Sequence, residues 1–155
     1  MLDKSREAMQ RWRGVNERLD RWLEERHQLV TLLFDFAAHQ DFDSKVPGLS
    51  NKVRKFNTLL IDYISAGHFE IYQQLVDEGR ENGDNMDVRE TARLFEVIDQ
   101  STELALAFNE KYEKIADLSG LADELSRLGE TLENRFEVED HMISVLHDAH
   151  LQNDK

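Results

Sequence analysis

Residues 121–151 read LADELSRLGETLENRFEVEDHMISVLHDAHL. Leu121, Leu125, Leu128, Leu132, Phe136, Ile143 and Leu146 recur there mostly at steps of three and four. At about 100° per residue that spacing gathers them on one stripe of an α-helix, with most of the charged residues around the rest of the cylinder. Proline is absent from the run. Glu139 stands at the centre of the stripe, where an apolar residue is expected. A helix this long buries its stripe only against other helices, so the segment argues for an all-α fold.

The rest of the chain follows the same pattern. Ser119-Gly120 separates this helix from a preceding one that starts near Asp87, a good N-cap, and ends near Asp117. Its stripe is Leu94, Val97, Ile98, Leu104, Ala105, Phe108 and Tyr112. Gly79 to Asn85 and the loop Asp41 to Gly48, which contains Pro47, are the other breaks. Four helices are expected, at about 15–38, 50–78, 87–117 and 121–151. A further turn or helix from Asp3 to Arg13 is hinged at Gly14. Connections this short make consecutive helices antiparallel neighbours. The expected fold is one domain over residues 1–155, an up-down-up-down four-helix bundle.

Each helix carries a polar residue on its core face: Arg26, His68, Ser101 and Glu139, with Ser65 at the edge of the second stripe. In such a bundle these positions fall at similar heights and can meet in one buried polar layer. A buried charge must be paired, and Arg26 with Glu139 is the obvious pair. His68 can donate to Glu139 or accept from Ser101, and Asp62 or Asp140 can join from the flanks. Two readings stay open. The layer fixes register among similar helices, or it lines a cavity for a ligand or ion.

Composition narrows the chemistry. The chain has 32 acidic and 19 basic side chains in 155 residues, a formal charge of −13, and no cysteine. Disulfides, thiolate metal sites and cysteine nucleophiles are excluded. The acidity argues against contact with nucleic acid or anionic membrane and favours a basic partner, if the charge does more than maintain solubility. With no apolar stretch of signal or spanning length, the expectation is a cytoplasmic protein. Glu24 and His27 have one Glu-x-x-His spacing, and Glu137 and His141 stand four apart, but no second Glu-x-x-His exists. A central arginine would also repel a dication, so neither metal nor cofactor is expected. His68 lies on the core face rather than open to solvent, and no P-loop, dinucleotide or nucleophile-elbow motif occurs. The expectation is a non-enzyme; the alternative is a bundle that binds metal or a small ligand through the polar layer.

The second helix is apolar on more than one stripe. Phe56, Leu59 and Tyr63 lie on one flank, and Phe69 and Val76 on the other. Either a partner covers them or an N-terminal helix bearing Met9 and Trp12 does.

Three blocks carry a resemblance: Asp20-Arg21-Trp22-Leu23, Asp62-Tyr63-Ile64-Ser65-Ala66-Gly67-His68-Phe69-Glu70-Ile71-Tyr72, and Arg135-Phe136-Glu137-Val138-Glu139-Asp140. With the length, they resemble the Rsd/AlgQ family of anti-sigma factors over nearly the whole chain. The resemblance implies a four-helix bundle of the bacterial cytoplasm that binds the primary sigma factor, chiefly its basic region 4. It implies that sigma is kept from RNA polymerase core and from the promoter −35 element, especially in stationary phase, which favours alternative sigma factors. The expected contact face is the side of the first and second helices, at Arg21, Tyr63 and Phe69. Trp22, His68 and Glu139 match the motifs but read as buried supports.

Overall fold

The computed structural model describes residues 2–14, 17–38, 49–67, 71–72, 88–113 and 120–153. These form five α-helices and, among the described residues, no strand. They are α1 (Leu2–Arg11), α2 (Glu17–Ala38), α3 (Leu49–Ala66), α4 (Val88–Glu113) and α5 (Leu121–Asn153). Gly14, at φ 81°, lies between α1 and α2. This left-handed conformation suits glycine, which has no Cβ to clash. Its amide donates to both carboxylate oxygens of Asp20, at 3.1 and 3.2 Å, which helps fix the bend.

The expected second helix, 50–78, is regular α-helix over Leu49–Ala66, is π-helical at Gly67 and Ile71, and is α-helical again at Tyr72. Gly67, the poorest helix former after proline, follows Ala66. A Cβ there would stand 3.0 Å from the Tyr72 hydroxyl, so the missing side chain lets the chain pass close to that ring. Residues 68–70 and 73–87 lie outside the described residues, and with them His68, Phe69 and Val76.

α2 packs on α3, α3 on α4, α4 on α5, and α5 back on α2. α1 packs along α2. Apolar side chains from all five helices and the bend after α1 form one core cluster, with Trp22, Leu29, Phe56, Leu60, Ile98, Leu128 and Leu132 essentially inaccessible. Burying one such side chain stabilises by roughly 1.5–3 kcal/mol. Toward the α2 C-terminus the filling is aromatic: Phe56 meets Phe36 and Phe108 edge to face, at 5.8 Å each. Tyr63 is enclosed by Trp22 and Phe136. Phe56 and Tyr63 are thus covered by aromatic side chains of the other long helices. Leu104, expected on the α4 stripe, turns outward, because Ala105 beside it takes the inner position. Among the described residues, no helix is long and apolar enough to cross a membrane.

Candidate functional site

Glu139 sits mid-way along α5 with no side-chain exposure and is the hub of a buried polar cluster. Arg26 from α2 donates through Nη2 to Oε1 at 3.3 Å and through Nε to the Tyr63 hydroxyl at 3.0 Å. The Tyr63 hydroxyl in turn donates to the same Oε1, at 2.5 Å. The second carboxylate oxygen repeats the pattern. Arg135 donates through Nε to Oε2 at 3.3 Å and through Nη2 to the Tyr72 hydroxyl at 2.8 Å, and that hydroxyl donates to Oε2. Each oxygen thus receives one guanidinium and one phenol that is itself bonded to that guanidinium. Both oxygens of the carboxylate are thereby used as acceptors.

The remaining donors are also satisfied. Arg26 Nη1 donates to Asp140 Oδ1 at 2.5 Å. Arg135 Nη1 reaches Ser101 Oγ at 2.9 Å, Thr102 Oγ1 at 2.8 Å and the Ile98 carbonyl at 3.3 Å. Trp22 stacks flat on Tyr63 at 4.9 Å, and its indole N–H donates to the Tyr63 carbonyl at 3.2 Å. The Arg26 guanidinium also lies 5.2 Å from the Trp22 ring and 5.0 Å from Phe136, within cation–π range. Two guanidiniums face two carboxylates, so the cluster balances formally.

The surroundings shift the titrating groups. Burial works against the Arg26 charge, but Tyr63, Glu139 and Asp140 outweigh it and raise its pKa. Arg135 is raised likewise, with Glu139 and Tyr72 overcoming burial. Burial, reinforced by the Glu139 charge, pushes both Tyr63 and Tyr72 well above the ordinary tyrosine value. Burial also raises Asp140, against the pull of Arg26.

The structure brings Arg26, Ser101, Glu139 and Asp140 of the expected layer together. It leaves Asp62 exposed and Ser65 half-buried on α3. Arg21, expected at a partner face, is exposed. Tyr63, expected there too, has no exposed surface: its ring fills the gap between Trp22 and Phe136, and its hydroxyl is tied to Glu139. Its place in the cluster is a correction to the surface reading. The sequence pattern gives Arg135 no place in the layer and reads Tyr72 as an apolar core residue of the second helix. The signal for Arg135 was available, since it continues the ladder Leu128, Leu132, Arg135, Glu139 and stands four residues before the central acid.

The cluster is saturated from within, which leaves little for a ligand to bind. Among the described residues, no three His, Asp or Glu side chains come close enough to hold a metal ion. The described residues include two open surface clefts. One, of about 460 Å³, runs between α1 and α2 and is lined by Arg6, Met9, Arg13, Leu23 and His27, among others. The other, of about 570 Å³, runs between α4 and α5 past Leu94, Val97, Asn134 and Val138.

The blocks that define the cluster point to known proteins. Residues 1–147 match the family model described as regulator of RNA polymerase sigma(70) subunit, Rsd/AlgQ. The chain is 30% identical over 148 residues to a protein named regulator of sigma D from Yersinia pseudotuberculosis, covering 92% of this chain and 87% of the relative. It is 30% identical to a protein of the same name from Salmonella typhi, covering 96% and 93%. A third, from Yersinia enterocolitica, is 28% identical over 92% and 88%.

Proposed function

The chain belongs to the Rsd/AlgQ family, regulators of the RNA polymerase sigma(70) subunit and not enzymes, and from that premise we propose that it is an anti-sigma factor for the primary sigma factor. It binds sigma chiefly at region 4 and keeps it from polymerase core and the −35 element, so that alternative sigma factors gain polymerase in stationary phase. It acts in the bacterial cytoplasm. The observation that carries this reading is the family match over residues 1–147, supported by the names of the relatives. The charge of −13 suits a basic protein surface and opposes direct contact with DNA.

In the same reading the four long helices form an up-down-up-down antiparallel bundle and one domain. Contacts at separated heights support it. Arg26 meets Asp140 while Leu33 meets Gly129. Tyr72 meets Phe95 while Phe56 meets Phe108. Ser101 meets Arg135 while Lys111 meets Glu124. In every pair, one partner number rises as the other falls.

The polar layer is then a register device rather than a binding centre. The contact face includes the outside of α2, where Arg21 is exposed. The test is retention from bacterial lysate on the immobilised protein. Recovery of the primary sigma factor without polymerase core is expected. Absence of sigma at both low and moderate salt contradicts the reading.

A further inference from the structure

α1 differs from the rest of the molecule in charge. Residues 2–13 carry Lys4, Arg6, Arg11 and Arg13 against Asp3 and Glu7, so the whole negative excess lies elsewhere. This basic segment lies beside an acidic row on α5. Lys4 Nζ pairs with Glu137 at 3.0 Å and feels Glu133 and Asp140, one turn to either side. Seven residues on, Arg11 donates to Ser144 at 3.4 Å, seven residues beyond Glu137. On the α2 side, Ser5 Oγ and His27 Nδ1 are 3.2 Å apart.

The apolar share of this docking is small. Within α1 only Ser5 and Ala8 are fully buried, Leu2 and Met9 pack half-buried against the core, and Trp12, just past its end, is the large buried anchor. Among the described residues the buried Trp12 indole N–H has no hydrogen-bond partner, an unfavourable element in the docked state. A helix of ten residues is marginal alone in water, so α1 holds its form chiefly through docking. Segments with few buried apolar contacts and exposed ion pairs open first. Gly14 supplies the bend on which α1 would swing.

We propose that α1 occupies, within its own chain, a docking seam between α2 and α5 that accepts a basic amphipathic helix from a protein partner. Its cognate occupant resembles α1 in chemistry: cations that reach Glu133, Glu137 and Asp140, and an apolar side chain in place of Trp12. Under the sigma reading above, on which this identification of the partner rests, that helix belongs to the basic region 4. α1 is then a built-in competitor that sets the threshold for binding.

The test uses the full chain with Arg11→Cys and Ser144→Cys, a neighbouring pair that leaves Glu133, Glu137 and Asp140 in place. The natural sequence has no cysteine, so a cleavable bismaleimide joins these two positions alone. The first probe is a labelled synthetic peptide of residues 2–13. The uncrosslinked protein is expected to take it up by exchange with α1, and the crosslinked protein at least about tenfold more weakly. Equal uptake by both forms, or uptake by neither, overturns the proposal. The second probe is region 4 of the primary sigma factor. Cleaving the crosslink is expected to strengthen its binding at least about tenfold. Equal binding before and after cleavage removes sigma from the seam. If region 4 binds neither form while the peptide behaves as expected, the seam stands and the sigma reading falls.

Discussion

Glu137 and Glu139 stand two residues apart on α5, and each faces a cation, yet the two pairings differ in kind. Glu137 meets Lys4 with more than half of each side chain in water. Glu139 meets two arginines and two tyrosines with none. In water the Coulombic gain is screened and two flexible chains must be ordered, so the surface pair adds little stability. In the interior the attraction is strong, but desolvation offsets it, and the arrangement holds only while every partner is present. In the proposed reading the inner cluster specifies which helices meet and at what height. The outer contacts can break and reform, as a docking surface requires.

The sharpest way to break this contrast is Glu139→Leu. It strands two buried guanidiniums and two hydroxyls and is expected to cost about 3–5 kcal/mol in denaturant unfolding. Because Arg135 shares the acid, Arg26→Met alone with Glu139→Leu still leaves a buried cation unpaired. Adding Arg135→Met should recover part of the loss, and a triple variant no more stable than Glu139→Leu would contradict the pairing scheme.

Gly67→Ala comes next. The new Cβ would stand 3.0 Å from a Tyr72 hydroxyl that Glu139 and Arg135 hold in place, so about 1–3 kcal/mol should be lost. Restoration by Gly67→Ala combined with Tyr72→Phe would locate the strain at that oxygen. Tyr63→Phe removes a donor to Glu139 and an acceptor from Arg26, and an expected cost of about 1–3 kcal/mol follows from the buried groups left unmet.

Alkaline titration tests the same tyrosines. Both are raised above the ordinary tyrosine value of about 10 in the folded protein, so near and above that pH the unfolded chain loses protons that the folded one keeps. Their contribution is complete below pH 10 and declines as pH rises above it. Tyr63→Phe with Tyr72→Phe should flatten that decline in unfolding measured across the alkaline range. The smallest effect belongs to the outer pair: Lys4→Ala should leave the denaturation midpoint within error. A clear drop would mean the surface contact carries structural weight.

Much of this contrast was legible before any coordinates. The apolar ladders placed helices at 15–38, 87–117 and 121–151, and the structure has them at Glu17–Ala38, Val88–Glu113 and Leu121–Asn153. Periodicity finds long helices because a single face must be buried along their whole length. Arg26, Ser101 and Glu139 stood out because each interrupts an apolar face. Tyr63 and Tyr72 did not, because a phenol reads as an aromatic core residue and its hydroxyl finds a partner only once the helices are packed. The change to π-helix after Ala66 is not legible for a related reason. Gly67 continues an apolar pattern, and its backbone role depends on Tyr72 coming close in three dimensions. The family blocks straddled core and surface in the sequence reading. In the structure Trp22, Tyr63, Tyr72, Arg135, Phe136, Glu139 and Asp140, drawn from all three blocks, meet in one cluster. The resemblance is written largely in the residues that hold the fold together.

The central claim is that the inside of this protein builds and the outside binds. The most direct measurement is the affinity for the primary sigma factor of the variant carrying Arg26→Met, Arg135→Met and Glu139→Leu, with folding checked by circular dichroism. The expected result is a dissociation constant within about threefold of the parent's. A folded variant that loses more than about tenfold, or a parent that does not bind sigma, would contradict the account.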